Sequence, residues 1–217
     1  MECTLCSAPS AGAPGTPWAT APDGKEYFQC GICDLVWLHP RHWPSPDEER
    51  GRYLEHRNDS ADSAYLEYLS RLAEPVCALI SPPARGIDYG CGPAEGMRTL
   101  LAPRGYEVDS YDPLFYPRPD LEPAAYDFLL CNEAAEHFFR PAEEFRRMDS
   151  IVDKGGVLAF SSGLVINKER FLGWNYRQDP THVIFFSEKC VRWIGARFGW
   201  DVLEIKNPRF LFQKRGK

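Results

Sequence analysis

Beyond its first 80 residues, the chain shows short apolar runs in regular alternation with helical patterns. An apolar run that ends in Asp88 precedes a helical pattern at residues 97–101, residues 105–113 predict a second strand that ends in an acid, and further apolar runs occupy residues 126–131 and 157–160. Alternation of this kind favours a parallel sheet covered by helices.

Two later segments extend the pattern. Pro141 and two following acids suit the amino end of a helix that turns Phe145 and Met148 inward. Four apolar residues with helical spacing come next: Cys190, Val191, Ile194 and Phe198. Residues 200–205 and 209–212 then predict two strands joined by a turn that contains Pro208.

A glycine-rich turn joins the first strand to its helix, with the sequence Ile87-Asp88-Tyr89-Gly90-Cys91-Gly92-Pro93-Ala94-Glu95-Gly96. Glycine adopts backbone angles that a side chain forbids and lets a ligand approach bare backbone amides. The dinucleotide pattern G-x-G-x-x-G is not met, because Glu95 stands where the third glycine belongs. The turn instead resembles the first motif of class I S-adenosylmethionine-dependent methyltransferases, roughly D-x-G-x-G-x-G, with Ala94 replacing the third glycine.

The order of elements extends this resemblance over residues 85–214, and the two last strands resemble the family's antiparallel terminal hairpin. The segment Glu133-Ala134-Ala135-Glu136-His137 is similar to the E-x-x-E-H segment that follows the family's fourth strand. An acid at the second strand tip holds the cofactor ribose in this fold. Asp112 is preferred for that role because Pro113 ends the strand, with Asp109 as its competitor. The resemblance implies a cofactor site made of Asp88, Gly90, Cys91, Gly92, Asp112, Asn132 and Glu133.

The family's third helix and strand have no counterpart here. Four prolines between residues 113 and 123 exclude a regular central strand, so we expect the sheet to be trimmed on that side. The acid that usually binds the adenine amino group cannot be assigned, and backbone groups near residues 120–122 are expected to replace it.

A helical pattern covers residues 53–72, after a proline-rich linker. In methyltransferases of this type a leading helix often closes over the cofactor. The resemblance therefore implies that Tyr53 and His56 reach the methionine end of the cofactor; the alternative is that they are surface polar residues.

Two C-x-x-C pairs, formed by Cys3 with Cys6 and by Cys30 with Cys33, mark the amino-terminal region. Paired thiolates at this spacing supply the four tetrahedral ligands that zinc prefers, and a site closed by four cysteines is structural. Disulfides are the alternative. No signal-peptide pattern precedes Cys3, so we expect a reducing, cytoplasmic environment that keeps the thiolates available.

Residues 173–187 concentrate aromatic, ionisable and hydroxyl groups, and they resemble a D-P-T-H-x-x-F-x-S element of a bacterial subgroup of these methyltransferases. His137 and His182 are the candidate general bases, since neutral imidazole accepts a proton near pH 7. Tyr176 and Asp179 are expected to orient the acceptor or the base. Structural histidines are the alternative.

The composition of the chain limits the classes of partner that it is expected to bind. The 217-residue chain carries a net charge of −6, which disfavours nucleic acid as a general partner, and no apolar run approaches the roughly 18 residues of a membrane span. The expected partner is a small molecule or a carrier-bound metabolite; the sequence does not indicate the oligomeric state.

These patterns predict a zinc ribbon at residues 1–42, a helical linker or lid at 43–80, and a Rossmann-like, S-adenosylmethionine-binding methyltransferase domain at 81–217. The predicted activity is in-line methyl transfer to a small or carrier-bound molecule. The alternatives are a non-catalytic module that binds S-adenosylmethionine or a partner, and an RNA base methyltransferase.

Overall fold

The computed structural model describes residues 1–55, 59–118, 121, 123 and 125–216. The strands are β1 (Ala19–Thr20), β2 (Glu26–Gln29), β3 (Val36–Leu38), β4 (Ala84–Tyr89), β5 (Tyr106–Tyr111), β6 (Tyr126–Asn132), β7 (Val152–Ser161), β8 (Leu164–Val165), β9 (Ile184–Ser187), β10 (Trp200–Lys206) and β11 (Arg209–Lys214). The α-helices are α1 (Pro46–Glu55), α2 (Ser63–Cys77), α3 (Gly96–Leu101), α4 (Pro141–Ile151), α5 (Lys168–Leu172) and α6 (Glu188–Phe198). No described helix is both long enough and apolar enough to cross a membrane.

The larger sheet has six strands in the order β10-β11-β7-β6-β4-β5. Strands β5, β4, β6 and β7 run parallel, whereas β11 and β10 are antiparallel and form the carboxyl-terminal hairpin. This topology confirms the predicted Rossmann-like sheet with its terminal hairpin. Among the described residues β5 is the edge strand, as expected for a sheet that lacks the family's third strand.

Both faces of this sheet are buried, because successive side chains of a strand point to opposite faces. In β6, Phe128 and Leu130 pack with α2 and α3, whereas Leu129 and Cys131 pack on the opposite face with α4 and α6. Gly86 on β4 permits this packing, since a Cβ there would lie 2.1 Å from the Phe128 ring. Burial of each such aromatic side chain contributes roughly 1.5–3 kcal/mol.

The smaller sheet joins distant parts of the chain, in the order β1-β2-β3-β9-β8. Its first three strands belong to the ribbon, a name used below for residues 1–42. Strand β3 pairs antiparallel with β9, so that Val36 faces Phe185 and Trp37 faces Ile184. The ribbon is therefore continuous with the segment that follows β7.

The helix predicted at residues 53–72 is two helices. Helix α1 ends at Glu55, and α2 begins at Ser63, where the Asp62 carboxylate accepts a 2.9 Å hydrogen bond from the Ala64 N–H. An aspartate that caps a helix in this way fixes the start of α2 at a position inside the predicted helix. Helix α6 is capped by Ser187, whose Oγ accepts a 3.1 Å bond from the Cys190 N–H.

Candidate active site

A cavity of about 1000 Å³ opens beside the carboxyl ends of β4, β5 and β6. This edge is where open α/β sheets bind ligands. The cavity is lined by described residues from three groups of elements: α1 and α2, the three strand ends, and the segments that precede α4 and β9. Its volume lies at the upper end of the roughly 300–1,000 Å³ that is typical of small-molecule sites.

The glycine turn lies at the tip of β4. Gly90 and Gly92 have φ values of +80° and +64°, which glycine adopts more easily than other residues. A Cβ at Gly90 would lie 2.5 Å from the Cβ of Ala134, whereas a Cβ at Gly92 would meet no atom within 4 Å. The turn therefore requires glycine at position 90 for packing and leaves open space beside Gly92.

The backbone amides of this turn differ from the sequence-based expectation of bare donors. The N–H groups of Gly90 and Cys91 donate to the Tyr111 carbonyl at 2.8 and 3.1 Å. The Gly92 N–H donates to Asp112 Oδ2 at 3.0 Å. These bonds tie the turn to the end of β5, so the glycines contribute shape and space to the cavity in place of free amides.

Asp112 and Asp109 occupy different environments. Asp112 lines the cavity, and its Oδ1 accepts hydrogen bonds from the N–H groups of Leu114 (2.8 Å) and Phe115 (3.2 Å). Asp109 is not among the lining residues; its Oδ2 accepts hydrogen bonds of 2.8 Å from Arg85 and from the Tyr126 hydroxyl. Of the two sequence candidates, only Asp112 faces a ligand-sized space.

Asp88 lies at the end of β4 and lines the cavity with only 5% of its surface exposed. Burial, and secondarily the neighbouring Asp112 carboxylate, raise the pKa of Asp88 to about 8. Two acids this close together favour a positively charged ligand group at this end of the cavity.

Asn132 and Glu133 line the cavity at the tip of β6. Glu133 has a φ of +48°, a strained value for a residue with a side chain, and its carboxylate accepts a 2.6 Å hydrogen bond from Ser161 Oγ. Burial raises the pKa of Glu133.

The four residues assigned to the acceptor line the same cavity, although they come from two separate segments. The His137 and His182 ring centroids are 4.7 Å apart, and the Tyr176 ring lies 4.2 Å from that of His182. His137 Nδ1 is 2.9 Å from the Thr181 carbonyl oxygen. The fold thus brings His137 next to the segment that carries His182.

Asp179 forms an ion pair with Arg52 of α1, with 2.8 Å between Oδ2 and Nη2. Its Oδ1 accepts hydrogen bonds from the Thr181 N–H (3.0 Å) and hydroxyl (2.6 Å). Burial opposes ionisation of Asp179, but the hydrogen bonds from Arg52 and Thr181 hold its pKa well below the usual range. The ion pair joins α1 to the segment that carries Tyr176 and His182, and both line the cavity.

Helix α1 also places Tyr53 in the cavity wall. The Tyr53 hydroxyl donates a 2.8 Å hydrogen bond to Glu49, and its ring stands edge-on to His137 with 5.2 Å between centroids. His56, the other residue assigned to this region, lies outside the described residues.

Sequence reasoning missed several members of the site. Arg52 is separated from Asp179 by 127 residues, and no local pattern indicates such a pair. Glu136 was part of the E-x-x-E-H segment but was not assigned a role. It is fully buried and accepts a 2.5 Å hydrogen bond from the Tyr176 hydroxyl. Aromatic residues that line the cavity were also missed: Tyr65, Tyr68, Tyr89 and Tyr111.

The four amino-terminal cysteines are free thiols gathered in one cluster, with all four sulfurs within 4.8 Å of one another. Two of the separations are 3.5 Å (Cys3 to Cys33) and 3.4 Å (Cys6 to Cys30). Zinc–sulfur bonds of about 2.3 Å give tetrahedron edges of about 3.8 Å, so the cluster fits a zinc ion with little adjustment. The Ile32 and Cys33 N–H groups point at Cys30 Sγ from 3.4 Å, which favours a thiolate there.

Comparison with known proteins agrees with this geometry. A family model described as a methyltransferase domain matches residues 53–205, more than half of the chain. No curated protein sequence matches the chain significantly.

Several solved structures share the fold. The 1,6-didemethyltoxoflavin-N1-methyltransferase of Burkholderia thailandensis is 15% identical with a TM-score of 0.58, over 84% of this chain and 96% of that one. The complex of the Haloferax volcanii Trm112 methyltransferase activator with a candidate methyltransferase gives 12% identity and a TM-score of 0.55, over 80% and 100% of the two chains. A candidate sarcosine dimethylglycine methyltransferase from Galdieria sulphuraria is 19% identical with a TM-score of 0.52, and the match covers 65% of this chain and 64% of that protein.

At these identities the solved structures establish the fold alone. The family match supplies the activity class, and the cavity at the strand ends has the glycine turn and acidic residues that the class requires. The chain belongs to the class I S-adenosylmethionine-dependent methyltransferase family.

Proposed function

We propose that this enzyme methylates a small molecule or a carrier-bound metabolite inside the cavity at the strand ends. The observation that carries the proposal is that one cavity joins the glycine turn and Asp112 to the cluster of His137, His182 and Tyr176. A cofactor and an acceptor held in these two places would be neighbours.

The residues at the strand ends fit the cofactor. Asp112 would hold the ribose, the open space beside Gly92 would admit the amino-acid portion, and Asp88 would favour its positive charge. Asn132, Glu133 and Tyr53 would complete the wall around it. When bound, S-adenosylmethionine supplies an electrophilic methyl group on a sulfonium.

The protein's own contribution is chiefly alignment. Reacting atoms must approach to about 3 Å in line with the leaving group, and positioning of this kind supplies several kcal/mol. The Arg52–Asp179 ion pair holds α1 over the cavity, where Tyr53 packs against His137. This cover excludes water and fixes the acceptor side relative to the strand ends.

The two histidines are the groups that would act on a proton of the acceptor. With Nδ1–H donating to the Thr181 carbonyl, the neutral His137 ring carries its lone pair on Nε2. General-base catalysis by His137 or His182 is the simplest role for these imidazoles. Their replacement by alanine tests it: if His137→Ala and His182→Ala both keep full turnover on the true acceptor, neither imidazole is a base.

A small acceptor is favoured over RNA because the chain carries a net charge of −6, opposite to that of a nucleic-acid-binding surface. The Burkholderia structure, which shares this fold, is named for methylation of a small heterocycle and contains it together with S-adenosylhomocysteine.

Calorimetry of the zinc-loaded protein with S-adenosylhomocysteine tests the proposal. We expect one cofactor per chain, followed by transfer of labelled methyl groups to a member of a panel of small hydroxyl, amine and carbon acceptors. Absence of cofactor binding would overturn the proposal and favour a non-catalytic partner-binding module. A salt-sensitive methylation of RNA in place of small molecules would favour the RNA alternative.

A further inference from the structure

Three side chains at the acceptor end of the cavity form a compact donor cluster. Glu136, His137 and His182 each place one ligand atom within 4.8 Å of the other two. The two histidines line the cavity, and Glu136 lies fully buried behind them. The set consists of two imidazole nitrogens and one carboxylate oxygen.

One carboxylate oxygen of Glu136 is buried without a hydrogen-bond partner among the described residues. Its Oε1 accepts the Tyr176 hydroxyl, but its Oε2 is buried and has no hydrogen-bond partner among the described residues. A buried carboxylate oxygen without a donor or cation typically costs about 1–3 kcal/mol or more.

Hydrogen bonds with neighbouring residues orient the three side chains, as neighbouring residues do for the ligands of known metal sites. His137 Nδ1 faces the Thr181 carbonyl at 2.9 Å, which leaves Nε2 as the ligand nitrogen. Tyr176, itself 3.2 Å from Ser162 Oγ, holds the Glu136 carboxylate in place. Histidines that bind metals characteristically donate their other N–H to a carbonyl or carboxylate in this manner.

The three donor atoms would need to move inward only slightly to bind one ion. His182 Nε2 lies 3.9 Å from Glu136 Oε1. An ion with bonds of about 2.0–2.2 Å requires donor atoms roughly 3 to 4.3 Å apart. Mixed imidazole and carboxylate donors favour divalent transition metals over Mg²⁺ and Ca²⁺, which prefer oxygen ligands alone.

We propose that Glu136, His137 and His182 bind a divalent transition-metal ion, separate from the zinc of the ribbon, and that the ion takes an oxygen-bearing acceptor. Three protein ligands leave coordination positions open toward the cavity. Coordination there lowers the pKa of the acceptor hydroxyl, and its proton passes to solvent water, so no free imidazole base is needed. This inference rests on the proposed function, since it concerns the acceptor of the same cavity.

Titration of the zinc-loaded protein with Mn²⁺, followed by the electron paramagnetic resonance signal of the free ion, tests the site. Mn²⁺ is chosen because thiolates bind it poorly, so the ribbon keeps its zinc. We expect one Mn²⁺ per chain in the wild type, and at least tenfold weaker binding in His182→Ala and Glu136→Gln. His42→Ala is the matched control, because His42 is not among the cavity-lining residues, and its binding should equal that of the wild type.

Two results would overturn the inference: no Mn²⁺ bound by the wild type, or equal binding by the wild type and His182→Ala. Calorimetry with S-adenosylhomocysteine on the same samples shows that each variant is folded and separates the two proposals. Cofactor binding without Mn²⁺ binding rejects the ion site and leaves the methyltransferase proposal intact. If the wild type does not bind S-adenosylhomocysteine, the proposed function is rejected, whatever the Mn²⁺ result.

Discussion

The two sides of the cavity are built in different ways. The side proposed to bind the cofactor, called the cofactor side, consists of the ends of β4, β5 and β6, which are neighbours in one parallel sheet. The side proposed to bind the acceptor, called the acceptor side, depends on the segment between α5 and β9, and β9 pairs with β3 of the ribbon in the smaller sheet. The comparison indicates that the larger sheet alone forms the cofactor side, whereas the ribbon helps to hold the acceptor side in place.

The contacts of the ribbon show how it supports the acceptor side. Val183, the neighbour of His182, accepts a 2.8 Å bond from the Leu38 N–H and donates one of 2.9 Å to the Glu136 carbonyl. Arg177 is 96% buried, and its Nη1 lies 3.3 Å from the Tyr27 hydroxyl. The acceptor side should therefore respond to changes in the ribbon more than the cofactor side does.

Disruption of the four-cysteine cluster, which we propose binds zinc, should have the largest effect. Cys33→Ser is expected to abolish zinc binding, lower the melting temperature and reduce turnover at least a hundredfold, because structural zinc contributes about 10 kcal/mol or more to the folding of small modules. The affinity for S-adenosylhomocysteine should change less than tenfold, since the strand ends belong to the other sheet. Metal analysis, thermal melting and calorimetry measure the three effects.

Cys77→Ser is the matched control for this experiment, because Cys77 is a free cysteine of α2 outside the four-cysteine cluster. It should keep its zinc and its turnover. Equal losses of cofactor and acceptor binding in Cys33→Ser would break the distinction between the two sides.

Asp112→Asn should affect the cofactor side next most strongly. Removal of the charge weakens hydrogen bonds worth about 1.5–3 kcal/mol, or roughly 10- to 150-fold in affinity for S-adenosylhomocysteine. Asp109→Asn serves as the control, because Asp109 binds Arg85 and Tyr126 outside the cavity wall. Similar affinities of the two variants in calorimetry would reject Asp112 as the ribose ligand.

Asp88→Asn should separate stability from binding. The folded-state pKa of Asp88, raised to about 8, lies above its unfolded value of about 3.9. The protein without cofactor therefore loses stability from this group as pH rises from about 4 to 8. At pH 8 we expect Asn to raise the free energy of unfolding by about 1–2 kcal/mol and to weaken S-adenosylmethionine binding.

Urea unfolding at pH 5 and pH 8 tests this expectation, since the gain in stability from Asp88→Asn should be smaller at pH 5. A gain that is the same at both pH values, or a loss at pH 8, would contradict the assigned cause. Unchanged cofactor affinity would remove Asp88 from the cofactor side.

Arg52→Ala should give the smallest effect, on the acceptor side. Loss of its partly buried ion pair with Asp179 is expected to cost about 1 kcal/mol and to lower kcat/KM for the acceptor about fivefold. Arg192→Ala is the control, since Arg192 pairs with Glu188 on the exposed face of α6. Steady-state kinetics with equal values for the two variants would mean that the Arg52 ion pair does not position α1 for catalysis.

Much of the cofactor side could be predicted because its determinants are local. The turn requires glycine at position 90, and Pro113 marks the strand end at Asp112. The alternation of apolar runs and helical patterns gave the sheet and its terminal hairpin. The four cysteines could be predicted as a cluster from their spacing alone. The ends of the helices were predicted less well, since the Asp62 cap divides the helix predicted at residues 53–72 into two.

The sequence by itself determined the Rossmann-like sheet, the glycine turn and the thiol cluster, because short-range periodicity, backbone geometry and ligand spacing specify each of them. Only the tertiary structure decided that β3 pairs with β9, that Arg52 meets Asp179, and that Glu136 is buried beside His137 and His182. These contacts join residues far apart in the chain. They depend on how whole faces of sheets and helices pack, and no local pattern of residues encodes that choice.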